Sequence, residues 1–188
     1  MNLRRGLKLC YSSDTFPNSW WMKYAKDADL SIHECFVAPE SLVEKQGFTP
    51  EAALNVGTQI HTSPAQFGKV MAETKPRMAV GYHFFNDFDT APAILRDVRR
   101  TYDGPLALAL DYMVFNVTKD EIKVRMAAVE EAVWPQPSTI PLVPPDPALR
   151  RTALSKQMRE GRVVHRELLQ EVYDDINERF GSNAKVPD

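Results

Sequence analysis

The first half of the chain alternates short apolar runs with amphipathic stretches, and this constrains the fold more than any other feature. Leu7 to Tyr11, Asp29 to Phe36 and Met78 to Tyr82 read as strands. Each is separated from the next by helix-forming sequence. Asn18 is placed to cap a helix through Trp20, Trp21, Tyr24 and Ala25, and Thr49-Pro50-Glu51 opens a short one. Thr62-Ser63-Pro64 opens another through Phe67, Val70 and Met71. Asp89 is read as the cap of a helix reaching to about Tyr102, with Ile94, Leu95 and Val98 on its apolar face. Residues 37–49 are read as a loop. Three more short strands are expected near 105–110, 112–117 and 121–126, the later ones antiparallel. Strand and helix in alternation specify an α/β fold with a parallel sheet.

The second half differs. Between Trp134 and Pro147 there are six prolines, so 134–147 is read as an extended linker that is neither helix nor central strand. Beyond it Leu154, Met158, Val164, Leu168, Val172, Ile176 and Phe180 recur at mostly four-residue spacing. That predicts an amphipathic helix over about 148–180, loosened at Gly161. The expected division is therefore 1–133 as the α/β part, 134–147 as linker, and 148–188 as helix and tail.

Length and composition bound the function. A chain of 188 residues can bury one substantial core. A net charge of −2 gives no global basic field for nucleic acid or membrane. No apolar run is long enough for a transmembrane helix or a secretory leader, and a cytoplasmic protein is expected. Cys10 and Cys35 lie in apolar strand-like contexts without zinc-finger spacing, and are read as a reduced, buried pair.

Asp14, His33, His61 and His83 each stand at or near the end of an expected element. In an α/β sheet the strand C-termini converge on one edge, where sites form. A carboxylate and imidazoles gathered there have the donor chemistry for zinc or a similar metal.

Four segments carry a family resemblance. Tyr11-Ser12-Ser13-Asp14-Thr15-Phe16-Pro17 resembles the YSGDT-x-P segment of ribonuclease Z-type metallo-β-lactamase-fold hydrolases. Ala28-Asp29-Leu30-Ser31-Ile32-His33-Glu34-Cys35-Phe36 resembles their AD-x-x-x-HEATF segment, His61-Thr62-Ser63-Pro64 their HST segment, and Val80-Gly81-Tyr82-His83-Phe84 their LTHF segment. The order is the family's, and His83 follows His61 by the expected 22 residues. The resemblance covers about 7–126.

The resemblance implies the C-terminal half of an αββα sandwich, with a C-terminal helical extension. It implies that the intact enzyme holds two divalent metal ions, zinc by default with manganese or iron as alternatives. It makes Asp14 the metal-bridging aspartate and His83 a terminal metal ligand. Glu34 and His61 become the pair that passes a proton to the leaving oxygen. His33 is read as structural or supporting, and His165, on the tail, as without a functional role. The implied reaction is hydrolysis of a phosphodiester or other ester-like bond.

Departures narrow this reading. Ser13 stands where the family has glycine, Cys35 where it has alanine, and Phe84-Phe85-Asn86-Asp87 follows His83. These point away from tRNA 3′-processing and toward a smaller substrate, with nucleic acid not favoured. The family's HxHxDH motif, which supplies ligands to both metals, has no counterpart here, since no HxH occurs in the chain. A truncation, split gene or late start is therefore expected, with little or no activity for the chain alone. The rival readings are a non-catalytic remnant or interaction protein, and a half-enzyme completed by a separate N-terminal chain. The expected partners are a small-molecule or phosphodiester substrate and either a second copy, pairing through an uncovered apolar sheet edge, or the missing N-terminal half.

Overall fold

A computed structural model describes residues 6–128 and 154–187. Four parallel strands, β1 (Leu9–Tyr11), β2 (Leu30–Glu34), β3 (Met78–Tyr82) and β4 (Leu106–Leu108), form one sheet in the order β1-β2-β3-β4. Three helices follow this alternation: α1 (Ser19–Ala25), α4 (Pro64–Thr74) and α5 (Thr90–Val98). The expected α/β class, with a parallel sheet, is what the chain adopts. The strands at 113–117 (β5) and 122–126 (β6) pair as an antiparallel hairpin, as expected, apart from that sheet.

Register decides the two faces of the sheet, because side chains alternate along a strand. Cys10, Ser31 and Ala79 share one face, as do His33 and Gly81 further along. On that face Ala79, Leu106 and Leu108 pack with Phe67, Val70 and Met71 of α4 and with Ile94 and Val98 of α5. Leu95, expected on the apolar face of α5, stays partly exposed. Gly68 permits the close approach of α4 to α5, since a Cβ there would lie 2.6 Å from the Val98 carbonyl oxygen. On the opposite face Leu9 and Tyr11 of edge strand β1 remain open, at 62% and 63% exposure.

Three expectations are corrected. Residues 37–49 are not a loop throughout, because α2 (Pro39–Gln46) lies within them. Pro39 supplies its first turn, and Gly47 closes it in the left-handed conformation, its N–H donating to the Leu42 carbonyl. Asp89 makes no side-chain cap on α5, which ends at Val98 rather than near Tyr102. Asp87 Oδ1 accepts from the Thr90 N–H instead, while Asp89 pairs with Lys45. The cysteines are both free, but only Cys35 is buried, its thiol pushed up by burial; Cys10 is half-exposed.

The tail is not one helix. The described part divides into α6 (Lys156–Gly161) and α7 (Arg166–Phe180). The break is set by docking rather than by propensity. Arg162 leaves the helix in extended conformation and bridges Asn18, and the Val163 N–H donates to the Pro17 carbonyl at 2.8 Å. A Cβ at Gly161 would lie 2.5 Å from Trp20, so only glycine lets the chain pass there. α7 then buries Leu169, Tyr173 and Ile176 against Leu54 of α3 (Pro50–Asn55). The expected linker at 134–147 and the start of the expected helix at 148 lie outside the described residues.

Candidate metal and proton-transfer site

The strands deliver the site as their C-terminal ends converge. Glu34 ends β2, Asp14 follows β1 by three residues, and His83 follows β3 directly. His61 comes from a different device. A single π-helical turn, Val56–Ile60, continues α3, and the His61 N–H donates to the Val56 carbonyl at 3.0 Å. Such turns insert one residue into a helix and often re-aim the side chain next to them. Ser63 then caps α4 in a reciprocal capping box with Gln66, which fixes the chain on the other side of His61-Thr62.

Glu34 is the hub. Its side chain has no solvent exposure. Oε1 accepts the Thr15 N–H at 2.6 Å and the Thr62 N–H at 3.1 Å. Oε2 takes His61 Nδ1 at 2.7 Å. A buried carboxylate is tolerated when its oxygens are satisfied in this way. Because a carboxylate only accepts, His61 Nδ1 must carry the proton, and in the neutral ring Nε2 is left as the free lone pair. The hydrogen bond to Glu34, against the cost of burial, raises the His61 pKa from its ordinary value.

His83 and Asp14 form the second contact, Nδ1 to Oδ1 at 2.6 Å, and His83 Nδ1 lies 3.8 Å from Glu34 Oε2. The His61 and His83 rings stand 5.0 Å apart between centroids. Phe36 stacks on His61 at 4.3 Å and meets His83 edge-on at 5.5 Å, which holds both imidazoles. Two backbones near the site are left-handed: Ser13 at φ 56° and His83 at φ 68°. Non-glycine residues take this conformation at a cost, and such residues cluster at functional sites.

All four sequence-assigned residues thus come together. Donor atoms of Asp14, His61 and His83 lie within 4.8 Å of one another, the one such group of three or more among the described residues. One carboxylate oxygen and two imidazole nitrogens suit a divalent metal such as zinc. His33 is set apart. It lies within β2, fully buried, and its Nδ1 donates to the Glu34 carbonyl at 2.7 Å. Its ring packs against Trp21 and Phe67. His165 is near-buried on the tail, 3.7 Å from Glu73 and away from this group.

Sequence reasoning missed the backbone donors of Thr15 and Thr62, the clamp by Phe36 and the π-helical turn. Thr15 and Thr62 lay inside two of the resembling segments, so their proximity was available as a signal. The turn had none.

Comparison with known proteins gives a partial likeness. No protein-family model matches the chain. Ribonuclease Z of Myxococcus xanthus (strain DK1622) is 32% identical over 109 residues, which is 57% of this chain and 32% of that protein. The chain therefore spans about a third of the length of the curated relative it matches. The crystal structure of the metallo-β-lactamase-fold protein YhfI from Bacillus subtilis aligns over 54% of this chain and 36% of that one, at TM-score 0.39 and 19% identity. No described helix is long and apolar enough to cross a membrane. The sequence match bears out the resemblance to the extent that, over 109 residues, the chain is similar to a ribonuclease Z.

Proposed function

We propose that the intact protein is a metal-dependent hydrolase of a phosphodiester or other ester-like bond, to which this chain contributes Asp14 and His83 as metal-holding residues and Glu34 with His61 as the proton-transfer pair. The supporting observation is the convergence of Asp14, His61 and His83 donor atoms within 4.8 Å, beside a buried, fully hydrogen-bonded Glu34. A divalent metal, zinc first and manganese or iron next, would supply Lewis acidity and an acidified water when bound.

The chain's own residues do the rest. Glu34 fixes the His61 tautomer and ring orientation, and its hydrogen bond raises the His61 pKa, which stabilises the imidazolium form relative to a free imidazole. An imidazolium held in this way is a competent general acid for a leaving oxygen. The free Nε2 of the neutral ring is also a good metal donor, as in carboxylate–histidine–metal arrangements. That would give three protein donors rather than the two expected, the usual count for a catalytic zinc with one open position. A second metal would need donors beyond this group.

Zinc titration calorimetry tests the reading. The chain should take up zinc, and Asp14→Ala and His83→Ala should each weaken uptake at least about ten-fold. His61→Ala decides between roles: near-intact uptake supports proton transfer, and a loss equal to the other two makes His61 a ligand. No uptake beyond that of the Asp14→Ala/His83→Ala double variant would end the metal reading. On bis(p-nitrophenyl) phosphate the isolated chain should turn over little or not at all. Pairing it with a segment bearing HxHxDH should produce turnover that Asp14→Ala abolishes.

A further inference from the structure

A cavity of about 440 Å³ opens beside Asp14, and its far wall is built by the tail. Phe16 and Ile60 line it from the loop after β1 and from the π-helical turn, and Leu154 and Met158 line it from the α6 segment. The tail is fastened there. The Arg162 guanidinium stacks on the Phe16 ring at 4.3 Å, and its Nη2 donates to the Gln59 carbonyl. With the Asn18 bridge and the Val163-to-Pro17 bond, this holds α6 against the segment that carries Asp14.

Ile60 and Leu154 are large apolar residues left partly exposed in the folded chain. Scattered exposed apolar residues need no explanation, but these two line one cavity with Met158. Its volume is in the range of small-ligand sites, which are mostly apolar with a few placed polar groups. Here the polar lining residues are Asp14, Thr15, Asn55, Gln59 and Arg162. A single arginine, already engaged, does not suit a polyanion, whose binding rests on many Lys and Arg contacts to phosphates.

We infer that this cavity is the subsite for the non-reacting part of the substrate, and that it takes a compact apolar group, the aryl or short alkyl alcohol portion of an ester. The inference rests on the hydrolase reading for the meaning of Asp14, but not for the binding itself. The tail thereby becomes a specificity element, with Met158 and Leu154 as its contact residues.

The test uses p-nitrophenol, p-nitrophenyl phosphate and inorganic phosphate on the whole chain. In methyl-resolved NMR, p-nitrophenol should shift the Met158 methyl signal, assigned with Met158→Leu. In calorimetry, p-nitrophenyl phosphate should bind at least about ten-fold more tightly than inorganic phosphate. Met158→Glu and Leu154→Glu should each erase that advantage, while Met158→Leu keeps it and circular dichroism confirms folding. Zinc uptake should be the same in all of them. An unshifted Met158 methyl, or equal p-nitrophenol affinity in Met158→Glu, overturns the subsite. Lost zinc uptake in the wild-type chain with intact p-nitrophenol binding would instead sink the hydrolase reading and leave the cavity as a binding site.

Discussion

Glu34 Oε2 holds His61 Nδ1 at 2.7 Å from a position with no access to solvent, so one buried carboxylate sets the state of the imidazole that faces the site. The pairing favours the protonated ring, and His61 should therefore titrate above its ordinary value of 6.5. The folded chain binds this proton more tightly than the unfolded chain does. The pair's contribution to stability is thus fully present below about pH 6.5 and is lost as pH rises through the raised folded value. An NMR titration of the His61 ring should give the elevated pKa. In Glu34→Gln it should fall toward or below 6.5, because the charge is gone while burial remains. An unchanged His61 titration in Glu34→Gln would mean that the carboxylate does not govern the ring.

What could be read in the sequence, and what could not, divides along physical lines. The existence of β2, the bounds of β3 and the opening of α4 were legible because apolar runs, Pro at a first turn and Ser at a cap are local signals. The grouping of Asp14, Glu34, His61 and His83 was legible only through the resembling segments, since nothing local brings Asp14 to His83 across 69 residues. α2 carried legible signals in Pro39, Glu40 and Gly47, obscured by its short length. The break at Gly161 was foreshadowed by glycine, but its cause, contact with Asn18 and Trp20, is tertiary. The Thr90 N–H at the start of α5 is met by Asp87 rather than by Asp89, and both carboxylates also pair with Lys45.

Ser13 occupies a left-handed backbone at φ 56° where the resembling segments carry glycine. A side chain there costs energy that glycine avoids, partly offset by glycine's greater freedom in the unfolded chain. Ser13→Gly should therefore stabilise the protein by up to about 1 kcal/mol in urea unfolding, and Ser13→Val should destabilise it by at least as much. If neither variant moves the transition, the turn before Asp14 is not held in this conformation.

The open face of β1 should make the isolated chain self-associate. Leu9 and Tyr11 are 62% and 63% exposed on an edge strand, and α7 packs on α3 without covering them. Exposed apolar edges are templates for pairing, and a lysine on the edge blunts them. Size-exclusion chromatography should show elution moving to larger size as concentration rises, and Leu9→Lys should reverse the shift. A wild-type chain that stays monomeric at every concentration would show that this face is satisfied within the chain.

His33 should make the protein acid-sensitive in a window separate from its carboxylates. Burial among Trp21 and Phe67 lowers its pKa to about 4, although the hydrogen bond to the Glu34 carbonyl works the other way. With Nδ1 donating to that carbonyl, Nε2 is the atom that would accept a proton, and it is buried without a hydrogen-bond partner among the described residues. A charge there would be unsolvated and unpaired. The folded pKa is depressed below an unfolded value near 6.5, so the unfolded chain binds more protons between these values. Stability is unaffected by this group above about pH 6.5 and falls as pH drops toward about 4, at roughly 1.4 kcal/mol per unit of pKa difference. The full loss is roughly 3 kcal/mol. His33→Gln keeps a side-chain donor for the Glu34 carbonyl but has no proton to gain. Urea unfolding at pH 7, 5.5 and 4 should show the wild type losing more stability than His33→Gln across the series. At pH 7 the variant should be the weaker of the two, because it leaves part of the space between Trp21 and Phe67 unfilled. Parallel pH profiles for the two proteins would mean that the folded chain admits the His33 proton without cost, and that the ring is not sealed from water as this geometry has it.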